Sequence, residues 1–143
     1  MGLVEACPGR RVHLDTNIFI YAVEGLAAFA LVLSELFERM AAGDIRASTS
    51  ELALAEALAK PMEAGREDIA RLYEEMLTPS DWLSVLPVDR AILIEAARLR
   101  ATLKLRLPDA IHVATAARAG CDLFLSNDKR MKVPEGMMLL ALA

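Results

Sequence analysis

The sequence predicts a single α/β domain, spanning residues 1–143, with a central, mostly parallel sheet of about five strands. Short β-forming runs at residues 12–14, 45–49, 82–88, 123–125 and 138–140 alternate with longer stretches of helical periodicity. That alternation argues for parallel strands with helices over both faces. With 143 residues, 55% of them hydrophobic and 25% charged, the chain can bury one sizeable core, and its composition is not that of a disordered protein. There is no internal repeat, low-complexity segment or linker.

Val12 and Leu14 suit a buried strand that stops at Asp15-Thr16-Asn17, and Ile18, Phe19, Tyr21 and Ala22 then recur at helical spacing. Thr16 or Asn17 is the expected N-cap. Asp15 then stands at the carboxyl end of a strand, where open α/β sheets place their ligands, unless it serves only to cap the helix. Phe29, Leu33, Leu36, Phe37 and Met40 make residues 29–42 an amphipathic helix that Gly43 ends. After the strand at 45–49, Ser50 is expected to cap a nearly all-apolar helix that Pro61 ends or bends. Glu56 is out of place there, sharing a face with Leu52, Ala53 and Ala59. A buried carboxylate needs a cation or hydrogen bonds, and Lys60 at i+4 is the plain local partner.

Ile69, Leu72, Tyr73 and Met76 give residues 66–76 an apolar stripe, and the segment 79–81 breaks it before the next strand. Asp89 caps a helix with Ile92, Ala96, Leu99 and Leu103 inward. Pro108 suits a first helical position and puts Asp109 in the first turn, where the positive helix end favours an acid in any case. His112 shares that face and reads as a hydrogen-bonding support, not a ligand. Gly120 closes the helix. The strand at 123–125 runs into Ser126-Asn127-Asp128, so that an acid follows a strand end a second time, with a turn or cap as the simpler role for Asp128.

The remaining features narrow the function. No apolar stretch reaches the 18 or so residues of a membrane span, and the amino terminus lacks the basic-then-apolar pattern of a secretion signal. Cys7 and Cys121 lie far apart and read as reduced thiols of a cytoplasmic protein. There is no glycine-rich phosphate loop, nucleophile elbow or Cys/His cluster. Residues 1–89 carry 7 basic and 15 acidic side chains, and residues 90–143 carry 9 basic and 5 acidic. The basic second half either contacts a polyanion or is simply solvated. Asp15, Glu56, Asp109 and Asp128, converging on one sheet edge, would repel one another without a cation. All-oxygen ligation suits Mg²⁺ or Mn²⁺ over zinc, and such a metal permits phosphodiester hydrolysis without a side-chain nucleophile.

Leu14-Asp15-Thr16-Asn17-Ile18, the Glu56 helix, Pro108-Asp109-Ala110-Ile111-His112-Val113-Ala114-Thr115-Ala116 and Leu125-Ser126-Asn127-Asp128 together resemble the PIN-domain family. The likeness is greatest to the VapC-type toxins of toxin–antitoxin pairs and covers essentially the whole chain. It implies a PIN-like α/β/α sandwich, Mg²⁺- or Mn²⁺-dependent endoribonuclease activity on RNA, a homodimer and a cognate antitoxin. Asp15, Glu56 and Asp109 match the family's three principal acids and Asp128 its more variable fourth. Thr16 or Asn17 and Ser126 match supporting polar positions. Asp15 and Asp109 are expected to ligate metal directly, and Glu56 and Asp128 directly or through water. Two departures stand out: the first motif begins about ten residues late, and Ser126 replaces a frequent Thr, keeping the hydroxyl. A phosphatase with Asp15 as nucleophile would need a second Asp where Asn17 stands. A non-catalytic RNA- or protein-binding module is the other alternative, against which the presence of all four acids speaks.

Overall fold

Strand β1 (Arg11–Leu14) occupies the centre of a sheet with order β3-β2-β1-β4-β5, formed with β2 (Arg46–Ser50), β3 (Leu83–Leu86), β4 (Leu123–Leu125) and β5 (Met138–Leu140). The computed structural model describes residues 3–142. All four pairings are parallel, so every connection must cross over from one end of the sheet to the other. Helices α2 (Thr16–Glu24) and α3 (Ala30–Ala41) lead from β1 to β2. Helices α4 (Leu52–Glu63) and α5 (Glu67–Met76) lead to β3, and α6 (Arg90–Leu103) and α7 (Leu107–Arg118) lead to β4. The last crossover, residues 126–137, has no helix. The result is a PIN-like α/β/α sandwich.

Side-chain alternation along the strands sorts two cores. Val12, Leu14, Leu123 and Leu125 join the cluster covered by α2 to α5, whereas Phe124 joins the cluster of α6 and α7. His13 is in register with Ser48 of β2 and with Phe124 of β4, so this row takes the α6–α7 face. Helix α7 is buried without a break from Ala110 to Ala116, and its alanines let it lie close over that row.

Several local expectations are corrected. A 3₁₀ turn, Ala27–Phe29, precedes α3, which starts at Ala30. Pro61 does not stop α4, which continues to Glu63. In the last turn a proline forfeits one bond, and the Pro61 carbonyl is still used by the Arg66 N–H at 2.8 Å. The Ser50 hydroxyl accepts from the Leu52 N–H at 3.1 Å, although Glu51 holds the N-cap position. Helix α7 begins one residue before Pro108. Of the late-starting amino terminus, Met1 and Gly2 lie outside the described residues. Leu3–Ala6 forms one helical turn, α1, and Cys7 enters the first core. Both cysteines are buried. Among the described residues no single helix is long and apolar enough to cross a membrane.

Candidate active site

The carboxyl ends of β1, β2 and β4 are tied together just where Asp15 emerges. The Asp15 N–H donates to the Leu125 carbonyl at 2.9 Å, and the Thr49 hydroxyl donates to the Leu14 carbonyl at 2.8 Å. Asp15 itself is the N-cap of α2: its backbone is extended, and Oδ1 accepts from the Thr16 N–H at 2.8 Å. The helix therefore starts one residue earlier than the expected cap at Thr16 or Asn17, because Asp15 can satisfy the free N–H at that end. Capping does not exhaust its acceptors. Oδ2 accepts from the fully buried Ser126 hydroxyl at 2.7 Å, and the His112 Nε2 is 3.7 Å from Oδ1. Asp15 is only 7% exposed. Burial pushes its pKa up, against the opposing pull of His112, Ser126 and the Thr16 N–H, while the nearby Glu56 charge raises it further.

Glu56 leaves α4 toward the same point. Its Oε1 accepts from the Thr16 hydroxyl at 2.7 Å and from His112 Nε2 at 2.8 Å. No ion pair with Lys60 forms among the described residues; the partners come from α2 and α7, far away in sequence. Burial alone would raise its pKa. The His112 hydrogen bond and charge, the Thr16 hydroxyl and the Arg106 guanidinium outweigh that and hold it below the usual range. Asp15 and Glu56 thus share Thr16 and His112, with proton affinities pushed in opposite directions.

Asp109 and Asp128 are linked to this pair indirectly, through Arg106 and Ser126, and their carboxylates face other partners. Asp109 lies in the first turn of α7 and pairs through Oδ2 with Arg106 Nε at 3.3 Å. Asp128 Oδ1 accepts from the Arg130 N–H at 3.0 Å and its Nε at 3.3 Å, and the Asp128 N–H donates to Ser126 Oγ at 3.0 Å. The Arg130 backbone N–H, its guanidinium and Arg106 hold the Asp128 carboxyl below its usual pKa. Arg106 thus lowers the pKa of Glu56 and Asp128 and pairs directly with Asp109. Among the described residues no group of three or more His, Cys, Asp or Glu is placed to share one metal ion.

His112 has the supporting role expected of it, but its partner His13 was not foreseen. His13 Nε2 is 3.0 Å from His112 Nδ1, and His13 Nδ1 is 3.3 Å from Ser48 Oγ. The His13 ring stacks on Phe124 at 5.1 Å. Burial, and then the neighbouring His112, pushes the His13 pKa well below the usual imidazole value. The sequence held a usable signal: one of its two histidines interrupts an apolar strand that both layers cover, where a polar ring requires a partner.

The family model for the PIN domain matches residues 12–136. The chain belongs to the PIN-domain family. This PIN domain is similar in fold to solved toxin–antitoxin structures, at low sequence identity. The DNA-bound VapBC from Salmonella typhimurium gives a TM-score of 0.71 at 17% identity, covering 94% of this chain and 99% of that one. VapBC2 from Rickettsia felis, bound to a promoter DNA fragment, gives 0.68 at 16%, covering 92% and 98%. VapC20 from Mycobacterium tuberculosis, described as a sarcin–ricin loop cleaving toxin, gives 0.62 at 15%, covering 79% and 86%. No curated protein matches the chain.

Proposed function

We propose that this PIN domain is a Mg²⁺- or Mn²⁺-dependent endoribonuclease, the cytoplasmic toxin of a toxin–antitoxin pair. The observation that carries the reading is Asp15, a nearly buried carboxylate at a strand end that faces Glu56 and has no Lys or Arg on either oxygen among the described residues. A carboxylate buried there without a compensating cation is costly even when hydrogen-bonded, and an all-oxygen donor set suits a hard divalent cation. The donor set fits such an ion at Asp15 and Glu56. Asp109 and Asp128 complete it on release from Arg106 and Arg130, whose exposed ion pairs are weak. When bound, the metal supplies a water nucleophile at neutral pH and offsets charge on the phosphoryl oxygens. Thr16 and His112 orient Glu56, Ser126 orients Asp15, and Arg and Lys of the second half hold the RNA backbone.

A largely apolar cleft of about 320 Å³ between α2, α4 and α5, with Glu56 among its lining residues, is a seat for an antitoxin segment that reaches Glu56. The solved neighbours from Salmonella and Rickettsia are themselves toxin–antitoxin complexes. An upstream small open reading frame is the simplest genetic check on that part.

The decisive assay is RNA cleavage with Mn²⁺ and with EDTA, by the parent and by Asp15→Asn and Asp109→Asn. Cleavage by the parent in Mn²⁺ alone is expected; EDTA-resistant cleavage, or full activity in either variant, refutes the reading. The Arg106 and Arg130 contacts favour one alternative, a binding module. RNA retention without cleavage in Mn²⁺ would establish it.

A further inference from the structure

The hydrogen bonds around His112 fix its protons. The Thr16 hydroxyl donates to Glu56 Oε1 at 2.7 Å, so toward His112 Nε2, 3.0 Å away, its oxygen acts as an acceptor. Glu56 Oε1, 2.8 Å from the same nitrogen, is a carboxylate oxygen and accepts too. Both contacts therefore require a proton on Nε2. A neutral imidazole carries only one, so Nδ1 must not take it. The group that faces Nδ1 is His13 Nε2, at 3.0 Å, and a single proton fits between two ring nitrogens. With the shared proton on His13 Nε2, Nδ1 of His112 is the acceptor and the one proton of the neutral His112 ring stays on Nε2.

His13 is held for this task from behind. It is fully buried, its ring lies flat on Phe124, and its Nδ1 meets Ser48 Oγ at 3.3 Å, which in turn meets Cys121 Sγ at 3.2 Å. A line of partners thus runs from Cys121, just before β4, through β2 and β1, to α7 and Glu56. The backbone of α7 fixes where the His112 ring begins, but the second side-chain torsion of histidine is broad and roughly two-fold, so it does not fix which edge faces Glu56.

We propose that His13 is a positioning residue: by gripping Nδ1 of His112 it selects the ring edge and tautomer that present Nε2–H to Glu56 and Thr16. Its consequence for metal binding rests on the nuclease reading; its effect on His112 does not. Groups that orient a metal ligand typically change metal affinity by about 10–100-fold when removed, and His13 would act on Glu56 in this way through His112.

The test uses the full chain with ¹⁵N-labelled histidine, without metal. The parent should show His112 protonated at Nε2 and a ¹⁵N–¹⁵N coupling across its bond to His13; absence of either overturns the proposal without any variant. His13→Phe keeps a ring on Phe124 but offers no nitrogen, and His112 should then divide between tautomers. His13→Gln places an amide nitrogen near the Nε2 position and should restore the parental signal. Calorimetry with Mn²⁺ should show weaker binding by His13→Phe, by about 10–100-fold, with recovery in His13→Gln. An unchanged His112 signal and parental Mn²⁺ affinity in His13→Phe overturn the proposal. Absence of Mn²⁺ binding by the parent instead overturns the nuclease reading and leaves the NMR result to judge His13.

Discussion

Removing one hydroxyl, in Ser126→Ala, tests how Asp15 is kept ionised inside the protein. Ser126 is fully buried and donates to Asp15 Oδ2 at 2.7 Å, while accepting from Asn17 Nδ2 at 3.2 Å and the Asp128 N–H at 3.0 Å. Asn17 and Asp128 are half-buried and regain water, so they add little. Asp15 is not compensated: at 7% exposure, water does not replace the lost donor. A hydrogen bond to a charged group contributes about 1.5–3 kcal/mol. For a domain of this size, 1 kcal/mol moves Tm by about 3–5 °C, so a fall of about 5–15 °C is expected near neutral pH. The sign with pH follows from which form the bond favours. Burial raises the Asp15 pKa and the Ser126 hydroxyl lowers it, so the bond stabilises the carboxylate over the acid. Its contribution is present above the folded pKa and is lost as pH falls through it. Melting curves at about pH 7.5 and in mild acid should therefore differ by a gap that narrows on acidification. A gap under about 1 °C at neutral pH, or one that does not narrow, refutes the account of Asp15.

Asp15→Asn should leave the metal-free protein as stable as the parent or more so at neutral pH. The folded pKa of Asp15 lies above the unfolded one, so ionising it subtracts stability as pH rises through that range. The variant should also lose the Mn²⁺-induced rise in Tm. Lys104 caps α6 in the left-handed region at φ 59°, so Lys104→Gly should stabilise by about 1 kcal/mol, read as a higher Tm. RNA affinity should fall with added salt in proportion to the phosphates contacted; a salt-independent affinity shows that the basic half is only solvated. Leu31 is 88% exposed on α3, with Leu72 and Met62 also exposed near α5, and light scattering should report a C₂ dimer of the 15.6 kDa chain. A monomer at micromolar concentration contradicts it.

The strands and main helices were legible because the chain changes periodicity sharply at Asp15, Ser50 and Asp89. Asp15 stood out as an acid ending an apolar run, and the structure gives it both a cap's contact and a buried second oxygen. What escaped was anything decided across long sequence separations. Glu56 plainly needed a partner, but local spacing offers Lys60, whereas Thr16 and His112 reach it only once α2 and α7 fold over the sheet edge. Asp109 and Asp128 were placed at the right ends of their elements; their side-chain partners Arg106 and Arg130 were not foreseen, since flexible guanidiniums leave no periodic trace. His13 was hidden by apolar neighbours that fully account for the strand.

Glu56 rides on α4, whose Ala53 and Ala57 belong to one core while Leu52 at its start packs on the other, and His112 rides on α7, which is buried in that other core. The bond from His112 to Glu56 is therefore a clasp between helices anchored mainly in different cores, closed beyond the strand ends. Small shifts of either helix add at the clasp, whose hydrogen bonds depend steeply on distance and angle. On gentle warming or in dilute denaturant, the acids are therefore expected to uncouple while the secondary structure is still intact.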